Sequence, residues 1–236
     1  YSSWFWLSPL GPTMIDKRSP SIEDALSEIR DGSVILVGGF GNAGSPIPLL
    51  EALIDQGATD LTIVSNNAGE GDFGLAALMK AGRISKIICS YPRSSGSVIF
   101  EELYDQGKID LEVVPQGTLS ERMRAAGAGI GGFYTPTSAG TLLAEGKETR
   151  EIAGKLHVLE HPLKGDVALI KADLADRWGN LTYNKSARNF GPTMAMAANL
   201  TVAQVRQIVD LGKISPELVV TPGIFVDRVV EEGGLS

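Results

Sequence analysis

The stretch "SVILVGGFGNAGSPIPLLEALIDQG", Ser33–Gly57, decides the fold. Its first part is an apolar run closing on glycine, as strands of a buried parallel sheet do. Pro46 and Pro48 stand where a helix begins, and Gly57 stands where it ends. Between strand and helix, Gly39, Gly41 and Gly44 have the G-x-G-x-x-G spacing. Small residues there let the backbone approach a phosphate, and a helix N-terminus attracts its charge. A dinucleotide site also wants an acid at the end of the next strand, to hold a ribose hydroxyl. That strand is "LTIVSNN", and it ends on Asn66 and Asn67. The loop stays open between a dinucleotide, another anion or CoA-like ligand, and a tight turn with no ligand.

Working outward, the same alternation recurs. Helical spacing marks Ile22–Gly32, Phe73–Gly82, Ser97–Gly107 and Thr118–Gly129; strands are expected at Ile84–Tyr91 and Ile109–Gly117. "IGGFYTPTSAGT", Ile130–Thr141, reads as a glycine-rich loop. The pattern is that of an α/β protein: a mostly parallel sheet with helices on both faces. Ligands on such sheets bind beyond the carboxyl ends of the strands. The second half reads as strands at "KLHVLEH", "DVALIKADLADRWGNLTY" and "ELVVTPG", with a helix at "MAMAANL". No linker separates the halves, so residues 14–236 are expected to form one domain.

The 236 residues suffice to bury a large core without disulfide support. The single cysteine, Cys89, lies in the apolar run "KIICS" and reads as a buried thiol of a cytoplasmic protein. A net charge of −7 with no cluster of Lys or Arg argues against a nucleic-acid partner. No apolar run approaches the ~20 residues of a membrane span. Residues 1–13, "YSSWFWLSPLGPT", carry no charge and two of the three tryptophans, and are set aside as a vector-derived or disordered leader.

"HVLEH", His157–His161, matches the inverted zinc-protease pattern. On a strand its two histidines stand about 13 Å apart, beyond joint ligation of a metal. They read as surface residues near a strand end, and no metal is expected. Asn66 and Asn67 are the sharper signal. Neutral amides at a strand end can stabilise a developing oxyanion without being neutralised by a carboxylate substrate. Turn chemistry explains one such asparagine more comfortably than two. Gln116, at the next strand end, suits a contact to a carbonyl or carboxylate, or a loop bridge. "KSARNFGP" could meet an acid, phosphates or another protein chain. No nucleophile has a local base, so the chain reads as half of an active site.

"DGSVILVGGFGNAGSP", Asp31–Pro46, resembles the signature of family I coenzyme A transferases. "SNNAG", "VPQGTL", "GAGIGGFYTPTSAGTLLAEGK" and "SARNF" resemble their counterparts in order, over essentially Met14 to the end. The resemblance is to the A (alpha) subunit, which implies a three-layer α/β/α fold and a heteromer with a B subunit carrying the catalytic glutamate. It implies CoA transfer from succinyl-CoA to a 3-oxo acid, through a glutamyl anhydride and a glutamyl-CoA thioester. "NNAGEGDFGLAALMKAG", "CSYPRSSGS", "DRWGNLTY" and "ARNFGPTMAMAA" favour 3-oxoadipate as acceptor, with acetoacetate as the alternative. CoA thioesters are then substrates, and no permanently bound cofactor is expected. Asn66 matches the family's oxyanion-hole asparagine, and Asn67, Gln116 and Gly117 lie at substrate-contacting positions. Gly38, Gly39, Phe40, Gly41, Asn42, Ala43 and Gly44 match the loop assigned to CoA. Arg93, beyond a strand end, is expected to hold the distal carboxylate of 3-oxoadipate. Rival classes are a CoA- or nucleotide-binding regulatory protein and an NAD oxidoreductase.

Overall fold

The structure is a computed structural model and describes residues 14–94 and 96–233. Residues 1–13, read above as a leader, lie outside the described residues. The chain opens with helix α1 (Ile22–Leu26), strand β1 (Val34–Val37), helix α2 (Ile47–Gln56) and strand β2 (Leu61–Asn67). Then come α3 (Leu75–Lys80), β3 (Ile84–Tyr91), α4 (Val98–Asp105), β4 (Asp110–Val113) and α5 (Gln116–Gly127). Three further strands follow, β5 (Phe133–Thr135), β6 (Thr149–Ile152) and β7 (Lys155–Glu160). The last elements are β8 (Gly165–Asp176), α6 (Gly191–Ala197), β9 (Ala198–Val209) and β10 (Arg228–Glu231).

Seven strands form one sheet in the order β10-β9-β8-β1-β2-β3-β4, and every neighbouring pair is parallel. Strand residues alternate between two cores, as the period of two requires. Ile35, Val37, Ile63 and Leu169 pack with α1–α4, while Leu36, Val64, Ile88 and Ile170 pack with α5 and α6. The three-layer α/β/α arrangement expected from the sequence is therefore the observed one. Progression along the sheet reverses between β1 and β8, the kind of switch point at which α/β sheets open a crevice. Gly57 ends α2 in the left-handed conformation, with φ 96°, as its position predicts.

A second sheet, antiparallel and three-stranded in the order β5-β7-β6, is joined to the first by a chain of ion pairs. Lys86 of β3 meets Glu112 of β4 at 2.9 Å, and Glu112 meets Arg122 of α5 at 3.0 Å. Arg122 lies 4.0 Å from the buried Glu160 of β7, which Lys147 approaches to 2.6 Å.

Local expectations are corrected at several points. The helix read over Ile22–Gly32 stops at Leu26, since Ser27 already turns its N–H back to Asp24. Within the supposed loop Ile130–Thr141, Phe133–Thr135 is strand β5, paired with β7. "ELVVTPG" is not a strand: a 3-10 turn spans Pro216–Leu218, and only Thr221 bridges to Leu181. The helix expected over "MAMAANL" ends at Ala197, and β9 begins at the next residue without a glycine or proline between them.

Candidate active site

The register of the central strands places three positions in a row beyond the hydrophobic core. Leu36 pairs with Val64, and Ser65 pairs with Cys89. Two residues past Leu36, two past Val64 and two past Ile88 stand Gly38, Asn66 and Ser90, on the face covered by α5. Gly38 carries no side chain there, which leaves space beside Asn66. A cleft opens over this row. Its larger part, about 910 Å³ of empty space, is lined by Phe40, Asn66, Glu70, Ser90, Tyr91 and Gln116 among others. An adjoining part reaches Gly38, Gly39, Asn42 and Ser65.

Asn66 is buried, at 5% exposure. Its Oδ1 accepts a 2.7 Å hydrogen bond from Nε2 of Gln116, the first residue of α5. Asn66 Nδ2 finds no partner among the described residues, so its two protons are available to the cleft. Asn67 is employed differently. Its Oδ1 accepts from the N–H of Gly69 at 3.0 Å, and Ser65 Oγ donates to its carbonyl at 2.6 Å. Both residues line the cleft; Asn66 is held there by Gln116, while Asn67 also shapes the turn through Gly69.

The glycine loop is held from the far half of the chain. Asn189 Oδ1 accepts from the N–H of Gly39 at 3.0 Å, and its Nδ2 donates to the carbonyl of Ala43 at 3.0 Å. A Cβ on Gly44 would lie 2.3 Å from the carbonyl oxygen of Ala187 and 2.5 Å from Asn189 Nδ2. The third glycine of the pattern is therefore explained by this close approach. The N–H groups of Gly41 and Asn42, both lining the cleft, have no partner among the described residues. They remain free for an anion or an ester carbonyl. With Asn66 in place of an acid, the ribose contact of a dinucleotide site is missing.

Not every expected residue faces the cleft. Gly117 lies in the first turn of α5 and does not line it, nor do Ala43 and Gly44, which support the loop instead. Arg93 is exposed and does not line the cleft; its guanidinium lies 4.0 Å from Asp105, the last residue of α4. Among the described residues, Glu70 is the one charged side chain lining the cleft. Ser90, Glu70 and the bracing role of Asn189 were missed in the sequence. Ser90 could have been found by counting register from Asn66, since both stand one residue past the aligned pair Ser65 and Cys89.

Two other motifs resolve plainly. His157 is on β7 and His161 just past its end, while Glu160 is committed to Lys147; no metal-binding group of three or more His, Cys, Asp or Glu exists among the described residues. Burial pushes the Cys89 thiol up to about 12, which makes it a core residue and not a nucleophile.

A profile of the coenzyme A transferase family matches residues 20–232. The chain belongs to the coenzyme A transferase family. It is 62% identical to the A (alpha) subunit of 3-oxoadipate CoA-transferase from Pseudomonas putida, over 94% of this chain and 96% of that one. It is 50% identical to the corresponding chain of succinyl-CoA:3-ketoacid coenzyme A transferase from Xanthomonas campestris, over 91% of this chain and 88% of the other. An acyl-CoA transferase from Escherichia coli O157:H7 has the same fold, with TM-score 0.83 at 24% identity, over 92% of this chain. The chain spans about half of that transferase, 47% of its length. The resemblance to the alpha chains, the fold and the transferase class are all met. Among the described residues no helix is long and apolar enough to cross a membrane.

Proposed function

We propose that this coenzyme A transferase chain supplies the oxyanion donor and the CoA-facing loop of a composite site. The nucleophilic glutamate comes from a B subunit. That carboxylate attacks the thioester carbonyl of succinyl-CoA and expels the CoA thiolate, leaving a mixed anhydride. The thiolate then attacks the glutamyl carbonyl, releasing succinate and forming the glutamyl-CoA thioester. The acceptor acid repeats the two steps in reverse and leaves as its CoA ester.

Each step passes through a tetrahedral oxyanion. The observation that carries the reading is the Asn66 amide, whose oxygen is engaged by Gln116 and whose nitrogen is left free in the cleft. A donor fixed in advance costs no reorganisation when charge develops. Gln116 orients Asn66 and borders the substrate, and Gly117 follows it in the first turn of α5. Asn67 shapes the loop on which the acyl group rests. The Gly38–Gly44 loop meets the CoA ester through the free N–H groups of Gly41 and Asn42, with Phe40 exposed beside them.

The acceptor is 3-oxoadipate in this reading. The relative named for it is 62% identical, against 50% for the relative named for 3-ketoacids. No cation lines the described cleft, so the distal carboxylate of 3-oxoadipate is assigned to Arg93, an exposed residue next to Ser94 of the lining. CoA thioesters are substrates and not resident cofactors, and the protein works in the cytoplasm. The test is reconstitution. The chain mixed with a B subunit should transfer CoA from succinyl-CoA to 3-oxoadipate, and the chain alone should not. Activity of the chain alone would refute the composite site.

A further inference from the structure

Ser90 is not among the residues that the reading above assigns, and its hydroxyl is unaccounted for. It lines the cleft beside Asn66 and Gln116, yet Oγ has less than 1 Å² of accessible surface and no hydrogen-bond partner among the described residues. A sealed hydroxyl without an acceptor is unfavourable, and such groups are rare without a functional reason. Rotation about χ1 moves a serine hydroxyl between staggered positions at little cost. Because Ser90 lines the cleft, a rotamer that turns Oγ toward it would be satisfied by a ligand oxygen there.

The position selects the ligand atom. Asn66 and Ser90 occupy equivalent places on adjacent strands of the same face, so their side chains emerge roughly one strand spacing apart, ~4.8 Å. The carboxyl and ketone groups of a 3-oxo acid are separated by a single methylene, and their oxygens span a distance of that order. With the reacting carboxyl oxygen at Asn66, the ketone oxygen falls at Ser90. Succinate places a methylene at the same point. We infer that Ser90 is a specificity-determining residue, whose hydroxyl donates a hydrogen bond to the 3-oxo oxygen of the acceptor acid. This inference rests on the transferase reading of the cleft.

The experiment uses the complex with the B subunit, in which two reactions of each variant are compared. One is CoA transfer to 3-oxoadipate, and the other is exchange of labelled succinate with succinyl-CoA, which involves no ketone. Removing one neutral hydrogen bond should lower kcat/KM for 3-oxoadipate about three- to tenfold in Ser90→Ala, with succinate exchange unchanged. Ser90→Thr keeps the hydroxyl and should keep the wild-type ratio. Ser90→Cys, of similar volume and a weaker donor, should shift the ratio in the direction of Ser90→Ala and covers the case in which the alanine variant does not assemble. An unchanged ratio in Ser90→Ala or Ser90→Cys, or equal losses in both reactions, overturns the inference. A wild-type complex that transfers no CoA refutes the transferase reading instead, which separates the two failures.

Discussion

Nε2 of Gln116 donates a 2.7 Å hydrogen bond to Oδ1 of Asn66, across fifty positions of sequence. The contact joins the end of β2 to the first turn of α5, with the Asn66 nitrogen on the side of the cleft. An asparagine free to flip would present its oxygen half the time, and an oxygen repels a developing oxyanion. Gln116 holds the amide in place, and in the observed arrangement the oxygen is engaged and the nitrogen is left to the cleft.

Asn66→Ala in the two-chain complex should lower kcat by ~10²–10³, the usual effect of losing one oxyanion donor. Gln116→Ala should cost less, roughly tenfold, because the donor remains but is no longer held. The double variant should be no worse than Asn66→Ala, since the two residues act through one amide. Asn67→Ala should be milder than Asn66→Ala, because it loses a turn contact to Gly69. Steady-state kcat for the four variants decides this; near-normal turnover by Asn66→Ala removes the oxyanion assignment.

Gly44→Ala tests the brace on the glycine loop. Its φ of 72° already disfavours a side chain, and the new methyl would meet Ala187 and Asn189. A left-handed conformation costs roughly 1–2 kcal/mol for a residue with a side chain, before the clash is counted. Thermal melting should fall by several degrees. Gly41→Ala is the control, with φ 57° but nothing within 4 Å of the added carbon. Equal melting temperatures for the two variants would mean that the contact with Ala187 carries no weight.

Arg93→Ala should lower kcat/KM for 3-oxoadipate about tenfold to a hundredfold while sparing acetoacetate, which has no distal carboxylate. The present ion pair does not oppose this, because Arg93 and Asp105 are both largely exposed and 4.0 Å apart. Parallel kinetics with the two acids measure it. Equal losses, or none, leave Arg93 a surface residue and move the carboxylate contact to the partner chain.

Glu112 makes the link between the two sheets sensitive to acid. Partial burial works against its charge, but hydrogen bonds and charges from Lys86 and Arg122 outweigh this and hold its pKa below the ordinary glutamate value. A depressed carboxylate contributes stability above its unfolded pKa and loses it as pH falls through the folded value. Melting temperature should therefore drop between about pH 5 and pH 3 more steeply in the wild type than in Glu112→Gln. Parallel curves for the two proteins would show that the pair contributes nothing to acid lability.

Much of this molecule was legible as sequence wherever local chemistry and tertiary structure agree. β2 at Leu61–Asn67 and β3 at Ile84–Tyr91 have the bounds read from their apolar runs, because both strands are buried on two faces and flanked by turn residues. β9 was not legible. Helix α6 passes into it between Ala197 and Ala198 without punctuation, and only pairing along the whole of β8 fixes that stretch as extended. Strand β5 was hidden among glycines for the same reason, since its partner β7 is more than twenty residues away.

For the site, the sequence by itself determined the chemical types: two neutral amides at a strand end, a glycine loop, a glutamine, and no nucleophile with a local base. These follow from residue identity and short-range spacing. Only the tertiary structure decided how each is used. It separated Asn66 from Asn67, because one side chain meets Gln116 and the other meets Gly69. It assigned Gly44 to the Ala187 contact and brought Ser90 beside Asn66, because strand register and crossings between distant segments are set by how the two cores pack, and no local pattern encodes them.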